Sequence, residues 1–158
     1  MAYHHAHPEW VLILDFGSQY TQLIARRLRE IQVYCEIHPF NADLQAFNSH
    51  PPKGVILSGG PKSVNDPDAP ALNEQVFDWS VPVLGVCYGL QSLANRAIPG
   101  SVDNSDRREF GRAHLQLLEA ENELFQGIPN NSQVWMSHGD HVHRLAEEYR
   151  IIACTKTV

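Results

Sequence analysis

Short apolar runs recur along the first half of the chain, each closed by glycine, proline or small polar residues. Trp10-Val11-Leu12-Ile13-Leu14-Asp15 is continuous rather than alternating, the pattern of a strand buried on both faces of a parallel sheet. Val33 to Ile37, Gly54 to Ser58 and Val83 to Val86 predict three more strands. After the first, Phe16-Gly17-Ser18-Gln19 turns the chain into a helix. On it Tyr20, Leu23, Ile24, Leu28 and Ile31 make an apolar face, and Arg26, Arg27, Arg29 and Glu30 make a solvated one. Asp43 to Phe47 predicts a short helix ended by Pro51-Pro52. Asn65 to Pro70 is a turn-rich loop, and Ala71 to Trp79 and Leu90 to about Ala97 are helical. The alternation predicts an α/β domain with a doubly wound, mostly parallel sheet and right-handed crossovers. Ligands of such sheets bind beyond the carboxyl ends of the strands. Gly17, Gly59 and Cys87 all fall at such ends.

The second half is patterned differently. Pro99-Gly100 breaks the chain, and Arg107-Arg108-Glu109-Phe110-Gly111 reads as a charged loop. His114 to Leu118 and Gln133 to Met136 read as strands, the latter followed by Ser137-His138-Gly139-Asp140. Tyr149 to Cys154 starts a further strand. Residues 1–9 read as a flexible tail and residues 10–158 as one domain.

One stretch carries chemistry. Val83-Leu84-Gly85-Val86-Cys87-Tyr88-Gly89-Leu90-Gln91 combines an apolar strand, a tight turn and the start of a helix. Its G-x-C-x-G is the thiol form of the elbow that lifts a nucleophile above an α/β sheet. Gly85 and Gly89 flank the turn where strand and helix backbones approach closely. Cys87 falls at the helix N-terminus, where N–H groups and the helix dipole favour a thiolate. A lone cysteine in an apolar run is ordinarily core packing. The glycine pair and the preceding strand make Cys87 a nucleophile instead, while Cys35 reads as core. Gly59-Gly60-Pro61 is either a plain turn or a source of backbone N–H groups for an anion. It is not a phosphate-binding loop, because no Gly-Lys-Ser/Thr follows.

Composition narrows the classes. A formal charge of −6 argues against non-specific nucleic-acid binding, and no apolar run approaches a membrane span. Three widely spaced cysteines form neither a disulfide framework nor a zinc site and suit a reducing cytoplasm. His4, His5 and His7 lack acidic or cysteine partners and read as a solvated tail, so no metal site is expected.

Five stretches occur in order: Asp15-Phe16-Gly17-Ser18-Gln19-Tyr20, Ser58-Gly59-Gly60-Pro61, Gly85 to Gln91, Arg108-Glu109-Phe110-Gly111, and Trp135-Met136-Ser137-His138-Gly139-Asp140. The set resembles the amidotransferase domain of glutamine-hydrolysing GMP synthases, from about Val11 to about Cys154. The elbow alone resembles class I glutamine amidotransferases generally, with their flavodoxin-like sheet. The resemblance implies that Cys87 attacks the glutamine side-chain amide, releases ammonia and leaves a glutamyl thioester that water cleaves. It implies an oxyanion hole from the Gly59 and Tyr88 backbone N–H groups, and glutamine held by Gly60, Gln91, Ser137 and His138. It implies no cofactor in this domain. ATP and magnesium would serve a synthetase partner, either a domain of the same chain or a separate one, that aminates xanthosine monophosphate to GMP.

The resemblance also sets expectations by its departures. Family members carry a later His-Pro-Glu motif supplying the base and its orienting carboxylate, and nothing after Cys154 supplies it. The domain is therefore expected to be incomplete at its C-terminus and this chain alone to be inactive. Pro99-Gly100 stands where the family has a glycine pair. His7-Pro8-Glu9 has the motif's spelling, but a six-residue strand is about 20 Å long, placing Glu9 at the end opposite Cys87. Two rivals remain: a non-catalytic module that binds glutamine or docks on a synthetase, and another cysteine enzyme of the same sheet type, such as a peptidase or a different amidotransferase.

Overall fold

The computed structural model describes residues 9–156, and of residues 104–110 the backbone alone. The first half is a four-stranded parallel sheet in the order β2-β1-β3-β4. Its strands are β1 (Val11–Asp15), β2 (Cys35–Pro39), β3 (Gly54–Leu57) and β4 (Val83–Gly85). Leu12 pairs with Glu36 on one side and Val55 on the other, and Ile56 pairs with Leu84. The chain moves one way from β1 to β2 and the other way from β1 to β3. Beyond their carboxyl ends lies the switch point where such sheets bind ligands.

Both faces of β1 are covered, which is why its apolar run does not alternate. Leu12 and Leu14 pack on one face with Trp10, Phe16, Phe47, Leu57, Val76 and Tyr88. Ile13 packs on the other with Ala25, Cys35 and Ile56. The two-residue period of the strand makes that division.

Helix α1 (Thr21–Glu30) approaches the sheet through small residues, with Thr21 and Ala25 buried. Cys35 Sγ lies 3.6 Å from the Ala25 carbonyl. The periodicity put Tyr20, Leu23 and Ile31 on one apolar face, but that face is only partly covered: they are 53%, 44% and 70% exposed. A groove of about 600 Å³ runs between α1 and half-exposed Leu84 on β4, so these side chains meet open space. The arginine face is solvated as expected. Arg27 and Arg26 donate to the Glu30 carboxylate and hold it below the usual range.

Of the next two connections, the first is the short helix expected at Asp43 to Phe47, and the second is shorter than the sequence suggested. Leu44–Phe47 and Glu74–Phe77 are single 3-10 turns. Asp43 and Asn73 open them, each side chain accepting the N–H of the residue two positions on. Such local bonds compete with helix propagation, and the span from Ala71 to Trp79 closes after one turn. Helix α2 (Tyr88–Ala97) forms as expected. The Arg96 guanidinium lies 4.1 Å over the Phe77 ring and 2.8 Å from Glu74, fastening α2 to the second turn.

The second half is a three-stranded sheet ordered β6-β5-β7. Its strands, β5 (Val102–Leu117), β6 (Ser132–Val142) and β7 (Ala153–Cys154), pair antiparallel. Arg107 to Gly111, expected as a loop, lies within β5, and Ser137 to Asp140 lies within β6. Antiparallel strands can keep one face in water and so tolerate polar runs. Their register shifts between Asn104 and Glu109. The strand expected from Tyr149 shortens to β7. His4, His5, His7 and Pro8 lie outside the described residues, and Glu9 precedes β1 at the sheet end away from its carboxyl edge. No helix among the described residues is long and apolar enough to cross a membrane.

The packing of α1 predicts opposite outcomes for two neighbours. Ala25→Leu should lower stability by about 1–3 kcal/mol through overpacking. Leu23→Ala, on the open side, should stay within about 0.5 kcal/mol of wild type. Urea denaturation of both variants checks this, and equal losses would contradict the packing described.

Candidate active site

Between Gly85 and Tyr88 the chain has two residues in which to turn from β4 into α2. Cys87 takes φ 51° and ψ −111°, a conformation costing a non-glycine residue about 1–3 kcal/mol. Surrounding bonds hold it there. Val86 N–H donates to the Leu57 carbonyl at 2.9 Å, Gly89 N–H to the Ser58 carbonyl at 3.1 Å, and Gln91 N–H to the Cys87 carbonyl at 3.0 Å. A Cβ on Gly85 would lie 2.6 Å from Leu90 N, and one on Gly89 would overlap the Leu57 carbonyl. The two glycines are where strand and helix backbones touch. Cys87 is exposed, Cys154 half-buried and Cys35 buried.

Gly59 faces the thiol: a Cβ there would lie 3.3 Å from Cys87 Cβ and 3.5 Å from Ser18 Oγ. The Gly59 and Tyr88 backbone N–H groups have no partner among the described residues. The Tyr88 side chain points the other way, into the core. Its ring lies 5.3 Å from Phe16 and its hydroxyl donates to the Pro70 carbonyl at 2.6 Å. Burial pushes the phenol above its ordinary range, and nearby Asp66 adds to the effect.

A cavity of about 450 Å³ opens beside Cys87, between the loop after β3 and strand β6. Gly60, Gln91, Ser137 and His138, all expected to hold substrate, line it together. Gly60 needs to be glycine, since a Cβ would lie 2.6 Å from the Phe16 carbonyl. Gln91 Nε2 donates to the Asp140 carbonyl at 3.1 Å and ties α2 to β6. His138 Nδ1 donates to the same carbonyl at 3.0 Å, which fixes the hydrogen on Nδ1 because a carbonyl only accepts. Gly59 lines a second cavity of about 350 Å³ on the other side of the thiol, with Gly17 and Ser18. The three strand ends singled out in the sequence do converge.

Sequence reasoning missed Lys62, Ser63, Asp66 and Asp140, which complete the larger cavity. Lys62 Nζ is 2.7 Å from Asp68, which raises the ammonium above its ordinary range and lowers the carboxyl. Ser63 N–H donates to Asp66 at 2.9 Å, and Asn65 Nδ2 donates to the Val102 carbonyl at 2.8 Å. The signal was the turn-rich Asn65-Asp66-Pro67-Asp68 following a glycine pair at a strand end. Asp140 lies in a quoted motif, and only its burial sets it apart. No side chain hydrogen-bonds the Cys87 thiol among the described residues. Nor do those residues contain a group of three histidine, cysteine or acidic side chains placed to hold a metal.

A family model described as glutamine amidotransferase class-I matches residues 12–157. The GMP synthase [glutamine-hydrolyzing] of Pseudomonas fluorescens SBW25 is 49% identical over 159 residues, covering 96% of this chain and 30% of its own length. That of Fusobacterium nucleatum is 50% identical over 145 residues, covering 92% and 28%. The chain thus spans about 30% of the length of the curated relatives it matches. The crystal structure of a candidate GMP synthase component from Thermoplasma acidophilum superimposes with a TM-score of 0.77 at 28% identity, over 97% of this chain and 76% of that one. A glutamine amidotransferase from Thermotoga maritima, at 18% identity and a TM-score of 0.65 over 95% and 68%, shares the fold.

The exposures of the three thiols predict their order of reaction. Brief native treatment with iodoacetamide should label Cys87 first, Cys154 more slowly and Cys35 only on unfolding. Mass-spectrometric mapping reads the order, and equal labelling would contradict an elbow that presents Cys87.

Proposed function

The chain belongs to the class-I glutamine amidotransferase family, and on that premise we propose that it is the glutaminase part of a glutamine-hydrolysing GMP synthase. The observation carrying this reading is the strained, exposed Cys87 set between two unpartnered backbone N–H groups at the mouth of a polar cavity. That cavity's lining includes Lys62, Asp66 and Asp140. Charges of both signs suit a zwitterionic amino acid.

In the proposed reaction, glutamine lies in the larger cavity with its side-chain amide against Cys87. The thiolate adds to the amide carbon, and the carbonyl π pair moves onto oxygen. The Gly59 and Tyr88 N–H groups receive that oxyanion, and each such donor is worth roughly 3–4 kcal/mol when aimed at it. The tetrahedral adduct collapses and the C–N bond breaks. The nitrogen takes the proton the thiol gave up on ionising, carried by the histidine base that the family resemblance implies, and leaves as ammonia. Water then adds to the thioester, releasing glutamate and restoring the thiol. Gly60, Gln91, Ser137 and His138 hold the amino-acid end. Gln91 acts partly through the Asp140 carbonyl, which keeps β6 against α2.

Ammonia formed this way must reach its acceptor before it protonates or diffuses away. The partner in this proposal is an ATP-dependent synthetase part that docks on the elbow side and aminates xanthosine monophosphate. ATP and magnesium act there, and the setting is cytoplasmic. The names of the relatives and three free cysteines support this part of the reading.

The test is glutamine-dependent ammonia release by the protein assembled with its synthetase part, since this chain alone is expected to be inactive. Cys87→Ala should abolish release and Cys154→Ala should leave it unchanged. Glutamine binding without Cys87-dependent ammonia would instead favour a non-catalytic module.

A further inference from the structure

Ser58 follows β3 and is fully buried, and its hydroxyl is engaged both as acceptor and as donor. It accepts the Phe16 N–H at 3.0 Å and donates to the Gly59 carbonyl at 2.9 Å. The Ser58 backbone N–H donates to the Leu14 carbonyl at 3.0 Å, and the Ser58 carbonyl accepts the Gly89 N–H at 3.1 Å. One residue therefore ties the exit of β1, the loop after β3 and the first turn of α2.

These bonds restrain both peptide planes that flank Gly59. A trans peptide points its C=O and N–H in opposite directions. The Gly89 N–H is shared between the Ser58 carbonyl at 3.1 Å and the Val86 carbonyl at 3.0 Å. It therefore holds the plane carrying the Gly59 N–H only in part, and the direction of that N–H depends also on the plane that follows. The next plane carries the Gly59 carbonyl, which the Ser58 hydroxyl holds. Two successive glycines are the least restrained backbone a chain can have, and Gly59-Gly60 sits beside the nucleophile. An anchor is needed there, and no cavity-lining side chain is bonded to the Gly59 peptide planes.

We infer that Ser58 is a positioning residue that aims the Gly59 N–H at the oxyanion formed on the glutamine amide. This rests on the glutaminase reading above. Ser58 touches no substrate and moves no proton. It removes a rotation that would let the donor turn away as negative charge develops.

Ser58→Ala in the intact protein tests this with two reactions of the same thiol. Glutamine hydrolysis builds an oxyanion, whereas alkylation by iodoacetamide displaces iodide from a saturated carbon and builds none. The expected kcat falls about 10- to 100-fold, short of the roughly 10²–10³ seen when a donor is deleted outright, with KM changed less than about threefold. The Cys87 alkylation rate should stay close to wild type, while the melting temperature falls by a few degrees because the buried Phe16 N–H loses its acceptor. A kcat near wild type overturns the inference, as does an alkylation rate that falls in parallel with kcat. Wild-type protein that forms no glutamate even when assembled with its synthetase part overturns the glutaminase reading and this inference together. Active wild type with an equally active variant overturns the inference alone.

Discussion

The contact on which the rest depends is that between the first turn of α2 and the end of β3, where no side chain fits. A Cβ on Gly89 would overlap the Leu57 carbonyl, and one on Gly85 would press on the Leu90 and Gly89 backbone. Only a pair of glycines lets the helix start this close. Once it does, the Leu57 and Ser58 carbonyls accept the Val86 and Gly89 N–H groups. Those bonds offset the backbone strain at Cys87, and the thiol emerges facing Gly59. Core packing supplies the rigidity behind it, through Tyr88 tilted against the Phe16 ring and bonded to the Pro70 carbonyl.

The site is built mostly from backbone, which suits the chemistry assigned to it. Main-chain N–H groups on strand ends and a helix start carry no rotamer freedom, so they meet developing charge without reorganising. The charged side chains lie farther out, on the loop after β3 and on β6. The β6 wall belongs to the second sheet, and the Asp140 carbonyl ties it to the elbow helix by accepting from Gln91, while also accepting from His138 within β6. Gln91 on α2 and Asn65 on the loop after β3 thus join the first half to β6 and β5 beside the cavity.

Much of the sheet and the elbow was legible because each rests on local pattern. A continuous apolar run means two covered faces, and G-x-C-x-G after a short strand has few other meanings. What failed depended on tertiary context. Leu23 and Ile31 keep a helical period whether or not anything covers them, and beside β4 nothing among the described residues does. Arg107 to Gly111 resembles a loop only if strands are assumed to be apolar, and its pairing with β6 is long-range. Ser58 was quoted in a motif for the glycines that follow it. Its role depends on Phe16 and Gly89, residues 42 and 31 positions away, and no local pattern reveals that.

The central claim is that Cys87, presented by this elbow, carries the glutamyl group during turnover. Rapid acid quench of the intact protein with carbon-labelled glutamine tests it most directly, because acid preserves a thioester long enough for peptide mapping. The account predicts label on the peptide containing Cys87, released by mild hydroxylamine and lost on chase with unlabelled glutamine. Ammonia release with no covalent label, or label on a peptide lacking Cys87, would contradict it.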